Sequence, residues 1–245
     1  AGLLNVAGGQ APVLLFAALF SPALAGYYAL ALRILSAPLA LVGTAVSQVL
    51  LPRLVEANRR GEAGQLILRL FRILAWLSFF PFTVAALMAD RIIPFAFGSQ
   101  WAPAAAIIAW TALWAACQFV TSPLSIAMTS LEAQKLHTGV QFTLFALRTG
   151  AILAGAAIAS PEFAVIGFSL ASIAGYTIYL LAVGAVARIR PSQFGKSLLG
   201  PLLLSAACSL MIYGMNSSDL AVGGVLLVFC GIWAWLLSWM YLKKL

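Results

Sequence analysis

The sequence predicts an all-α fold, a polytopic transmembrane helix bundle of about eight spans. Three observations predict it. Of 245 residues, 63% are hydrophobic and 8% charged, where a soluble domain carries roughly 45–50% apolar and about 25% charged residues. Mean hydropathy is +1.04. The apolar runs are long and continuous, as helices of about 20 residues crossing a bilayer require, and not the alternating ten-residue segments of a membrane β-barrel. A water-soluble globule and a disordered chain are both excluded, and no length remains for a soluble catalytic domain.

Breaker residues divide the chain into elements. Helices are predicted over about 2–21, 25–51, 65–89, 102–131, 135–159, 163–187, 196–214 and 220–242. The breaks fall at Ser21-Pro22, at Pro52 with Asn58-Arg59-Arg60-Gly61, and at Phe97-Gly98-Ser99. Further breaks fall at Ser160-Pro161, Arg190-Pro191-Ser192 and Asn216-Ser217-Ser218. The chain divides into a six-helix unit over residues 1–190 and a hairpin over 191–245. The hairpin spans carry no ionisable residue and read as peripheral and lipid-facing. The chain begins Ala1-Gly2-Leu3 with no basic segment before the first apolar run. No signal peptide is predicted, and the sequence is expected to begin inside a longer protein.

Topology follows from the basic residues. Arg53, Arg59, Arg60, Arg69, Arg72, Lys135, Arg188, Arg190, Lys196, Lys243 and Lys244 flank the even-numbered loops and the C-terminus. The opposite loops hold Arg91 alone. Both ends of the chain are therefore expected to face the cytoplasm. Trp239 and Tyr241 read as an interfacial anchor there, and Trp101 as one on the outer face. Arg69 and Arg72 snorkel to the headgroups in the plainest account, with a grip on lipid phosphate as the alternative. The net charge of +8 resides in these membrane flanks, so nucleic acid is not an expected partner. Cys117, Cys208, Cys230 and His137 are scattered through apolar runs. They form neither a zinc site nor a disulfide framework. No catalytic residue, cofactor or metal follows from the sequence.

Two charges stand where they should not. Arg33 lies roughly 12 Å below the outer edge of the second helix, and Arg148 roughly 20 Å up the fifth from the cytoplasmic side. In a core about 30 Å thick they share a depth. Each costs at least about 2.5 kcal/mol if it faces lipid, so both are expected to face protein or a wet cavity. At 100° per residue, Ser36, Ala40, Thr44 and Ser47 share the face of Arg33, and Gln134, Thr138, Gln141 and Phe145 that of Arg148. Close packing through small residues explains such stripes without a ligand; the arginines favour a water-filled cavity. The six acids, Glu56, Glu62, Asp90, Glu132, Glu162 and Asp219, all fall in loops or at helix ends. An anionic ligand is then the natural counter-charge, and a guanidinium fork suits phosphate. An acid from a missing segment, backbone carbonyls or water are the other options. The first helix carries Asn5, Gly8, Gly9, Gln10 and Pro12, a pattern that weakens a helix and is common where transporters line a substrate site. Asn5 and Gln10 are about 140° apart on a regular helix, so sharing a cavity requires a bend. Pro38, Pro81 and Pro123 are further kink candidates.

The run Gly26-Tyr27-Tyr28-Ala29-Leu30-Ala31-Leu32-Arg33-Ile34-Leu35, with Pro38-Leu39 and Gln48-Val49-Leu50-Leu51-Pro52-Arg53, resembles bacterial polysaccharide transporters. So do Phe97-Gly98-Ser99-Gln100-Trp101, Ser122-Pro123-Leu124, Gln134-Lys135 and Arg148. These are the O-antigen and exopolysaccharide flippases of the multidrug/oligosaccharidyl-lipid/polysaccharide exporter superfamily. The resemblance spans roughly residues 1–190 and rests on packing and loop signatures in order, with no single site motif. It implies two six-helix lobes around a central cavity, of which this chain resembles the C-terminal lobe plus two extra helices. On that resemblance, an N-terminal lobe is expected outside this sequence. The resemblance further implies a polyprenyl-diphosphate-linked oligosaccharide as substrate, moved by alternating access. Arg33 and Arg148 would meet the diphosphate or acidic sugars, and Asn5 and Gln10 sugar hydroxyls. Ser36, Thr44 and Gln141 complete the candidate substrate-binding set. Polysaccharide polymerase and glycosyltransferases are candidate partners. The alternatives are a cation-coupled drug exporter, which would want intramembrane carboxylates, and a membrane glycosyltransferase, which would want a catalytic base in a larger outer loop. A non-transporting scaffold of envelope assembly would tolerate loss of the buried charges.

Overall fold

The computed structural model describes the backbone of residues 2–214 and the side chains of 9–40, 50–210 and 212. The expected last helix, the Trp239/Tyr241 anchor and Cys230 lie outside the described residues, as do the side chains of Asn5, Thr44 and Ser47.

Among the described residues eight helices follow in order: α1 Gly2–Leu19, α2 Pro22–Arg59, α3 Ala63–Phe97, α4 Ala102–Leu124, α5 Ile126–Ser130, α6 Gln134–Ala157, α7 Pro161–Val186 and α8 Pro191–Gly214. A 3-10 turn over Ser99–Trp101 precedes α4. No strand occurs among the described residues. The chain is a helical membrane bundle. Among the described residues, five stretches are long and apolar enough to cross a membrane, with α4 and α5 counted together; the last of the eight expected spans lies outside them. The outer surface suits lipid: Phe95 is 80% exposed, Leu210 76% and Leu14 68%.

The turns fall where proline, serine and glycine put them. Ser21 caps α2, its hydroxyl accepting from the Leu24 amide at 3.1 Å, with Pro22 opening the helix. Ser160 does the same for α7 through the Phe163 amide at 3.2 Å. Three boundaries differ from expectation. The break expected at Pro52 does not occur, and α2 runs on to Arg59. A proline forfeits one bond within the helix, a loss that membrane helices tolerate. The stop comes nine residues later at Gly61, whose φ of +75° most residues avoid. Likewise α3 continues past Asp90 and Pro94 to Gly98, at φ +94°. The expected helix over 102–131 is two segments, because Ser125 and Met128 bond three residues back (3.1 and 3.0 Å) just after Pro123. Through Pro38 and Pro81 the backbone stays helical, and α1 is continuous through Gly8, Gly9 and Pro12.

Helix α4 sits at the centre, packed against α2, α3 and α7. Small residues set the closest approach, between α6 and α7. A Cβ on Gly155 would stand 2.6 Å from the Ala164 Cα, and one on Gly175 would overlap Leu144. Such contacts let backbones meet where no hydrophobic force drives association. Helix α1 leans on α2 and α6, while Phe16 meets Tyr28 ring to ring at 4.8 Å. Helix α8 packs on α3 through Phe194 and Phe71, 4.8 Å between centroids, and leaves Leu199 and Leu203 facing outward. The loops after α2, α5 and α7 meet at one end, around a cavity of about 740 Å³ lined by Asn58, Glu132 and Arg188 among others. That is the basic end of the bundle.

Candidate functional site

Between α1, α2, α4, α6 and α7 lies a cavity of about 440 Å³. Its lining includes Gly9, Gln10, Pro12 and Val13 from α1 and Tyr28, Arg33 and Ser36 from α2. Trp114 and Gln118 come from α4, Arg148 from α6 and Phe168 from α7. Four expected residues, Gln10, Arg33, Ser36 and Arg148, thus share one cavity. Gln141 is not among its lining residues. It is half-buried, two turns along α6 toward the basic end.

The two arginines differ in setting. Arg148 is 9% exposed. Its Nε donates to the Ser172 hydroxyl at 2.9 Å, and that hydroxyl donates in turn to the Phe168 carbonyl at 2.7 Å. The guanidinium carbon stands 5.2 Å from the Trp114 ring centre, 5.3 Å from Phe168 and 5.1 Å from Tyr176. Three ring faces around one cation supply electrostatic attraction where water is excluded. Trp114 and Tyr176 stack with 6° between planes, and Phe168 meets Trp114 edge-on. The cage is therefore rigid. Arg33 is exposed on the open side of the cavity, and its own carbonyl accepts from the Ser36 hydroxyl at 3.3 Å. Among the described residues, neither arginine lies against a carboxylate. Glu56, the acid nearest along the chain to Arg33, pairs with Arg60 at 2.8 Å at the far end of α2.

Three buried polar atoms on this wall have no partner among the described residues: Arg148 Nη2, Tyr28 OH and Trp114 Nε1. They come from α6, α2 and α4. Buried polar groups are nearly always satisfied. Arginine and tryptophan nitrogens only donate, and all three atoms lie behind the cavity surface, closed to solvent. No cluster of three or more metal-ligating side chains occurs among the described residues.

A helical wheel of the sequence missed Tyr28, Trp114, Gln118, Ser172 and Tyr176. The face assigned to Arg148 turned out to be self-satisfied in part, since the Thr138 hydroxyl donates to the Gln134 carbonyl at 3.1 Å. One signal was available: Phe168, Ser172 and Tyr176 repeat every four residues, as do Trp114 and Gln118. Each places a polar group among rings on one helical face.

Residues 1–106 match a family described as "Polysaccharide biosynthesis protein". The match supports a part for this chain in polysaccharide biosynthesis. It takes in α1, α2 and α3, hence Gln10, Tyr28, Arg33 and Ser36, and stops short of Trp114 and Arg148. No curated protein and no solved structure matches the chain.

Proposed function

We propose that the chain forms one lobe of a flippase that carries a polyprenyl-diphosphate-linked oligosaccharide across the inner membrane by alternating access. The observation that carries this reading is a shared one: Arg33 and Arg148 line one cavity, and among the described residues no carboxylate lies beside either. A ligand bearing negative charge supplies what the chain does not. The diphosphate engages the arginines, and the amides of Gln10 and Gln118 face sugar hydroxyls. A first lobe packs against the open side, where Gln10, Arg33 and Ser36 are exposed, and the two lobes rock about the site. A drug exporter for cationic substrates fits poorly, because the cavity already holds two cations. Both chain ends face the cytoplasm in this account, and the basic end of the bundle is the cytoplasmic one.

The test is complementation. In a strain lacking its own flippase, the complete transporter with Arg33→Ala or Arg148→Ala is expected to insert in the membrane but fail to restore surface polysaccharide. Full restoration by both neutral variants would leave a scaffold as the better account.

A further inference from the structure

Away from the cavity, α3 and α8 meet along a groove of about 450 Å³ near the basic end. Leu68, Arg72 and Trp76 line it from α3, four residues apart on one face; Lys196, Ser197 and Gly200 line it from α8. Both helices start at the basic end, so they run side by side in the same direction. The Trp76 ring rests on Gly200, where an added Cβ would stand 2.7 Å from the ring. Arg72 and Lys196 each lie four residues back from that contact, about 6 Å toward the basic end. The two cations therefore stand at one level on opposite walls. Both are exposed, and among the described residues no carboxylate lies against either.

Depth fits as well. Helix α3 has 35 residues, about 52 Å, and overshoots a hydrocarbon core of about 30 Å by about 20 Å. Between Arg72 and Asp90 the helix carries no charged residue over about 27 Å, close to the core thickness, which sets Arg72 at its basic edge and Trp76 one turn deeper, at the usual level of an interfacial ring. Above them the outward Leu199 and Leu203 offer an apolar track. Snorkelling alone would account for Arg72; it does not account for a second cation at the same height across a groove floored by an aromatic ring.

We infer that this groove binds the headgroup of an anionic phospholipid, its phosphate between Arg72 and Lys196 and its acyl chains running past Trp76. A pair of basic side chains near an anionic membrane surface contributes enough to make such binding selective.

The purified full chain is titrated with phosphatidylglycerol, phosphatidylcholine or inorganic phosphate, and retained lipid is read by native mass spectrometry. Phosphatidylglycerol is expected to bind in preference to phosphatidylcholine. Arg72→Gln with Lys196→Gln should weaken it roughly thirtyfold, and each alone about fivefold. Arg72→Lys with Lys196→Arg should hold it, while Gly200→Leu should weaken it with no change of charge by pushing Trp76 into the groove. Those last two variants keep the proposal testable if the double glutamine variant does not fold. Equal binding of the two lipids would overturn the inference, as would an equal loss in Arg59→Gln, which lies off the groove. Displacement of the lipid by inorganic phosphate at matched concentration would also overturn it, marking a free-phosphate site.

Discussion

Arg33 and Arg148 line the same cavity, yet the fold holds them in opposite ways. Arg148 is built in: three rings surround it, the Ser172 hydroxyl accepts a hydrogen bond from its Nε, and close α6–α7 packing fixes the helix that carries it. Arg33 projects from α2 on the open side, with no such enclosure. The difference separates two tasks that a charge in a membrane can perform. A caged guanidinium is held in place before any ligand arrives, so little side-chain entropy is lost on binding. An uncaged one adapts to whatever the cavity admits, and its removal leaves no hole in the scaffold.

The comparison can be broken most forcefully from beneath Arg148. Gly155→Val forces a side chain into the Ala164 backbone, and overpacking of that kind costs about 1–3 kcal/mol or more. Thermal unfolding should show a large loss, with transport lost too, although neither arginine is touched. Lysine substitutions come next. Lysine offers a point charge and no planar fork, so Arg148→Lys should lose the Ser172 bond and the ring stacking together, about 2 kcal/mol by typical values. Surface polysaccharide should fall far below the level that Arg33→Lys maintains; equal falls would erase the distinction. Ser172→Ala removes a single charge-assisted bond, about 1.5 kcal/mol, and should lower thermal stability less than Gly155→Val. The smallest expected effect is that of Arg33→Gln on stability, within about 0.5 kcal/mol, as for exposed positions elsewhere.

The same contrast marks what the sequence made legible. The setting of Arg33 was legible in part: of the small, polar face that a helical wheel gives α2, Ser36 shares its cavity, and the side chains of Thr44 and Ser47 lie outside the described ones. Arg148 was found without its setting. Its cage is assembled from α4 and α7, and wheel geometry of one helix carries no information on which faces of other helices turn toward it. Asn5 and Thr44 fall outside the described side chains. Helix existence came through from apolar runs, whereas the lengths of α2 and α3 did not. Pro52 and Asp90 look like terminators in a soluble context, but a helix overshooting the bilayer keeps its backbone bonded past both, and only the left-handed Gly61 and Gly98 end it.

Among the described residues no acid accompanies the two arginines in their cavity, and the proposed function has that cavity recognise a negatively charged, lipid-carried ligand. Binding of a polyprenyl-diphosphate oligosaccharide to the purified complete transporter, measured for the natural protein and for Arg33→Gln alongside thermal unfolding, tests it most directly. Affinity is expected to fall about tenfold or more, the loss of one charge-assisted contact, with the unfolding midpoint unchanged. Unaltered affinity in Arg33→Gln would contradict the account.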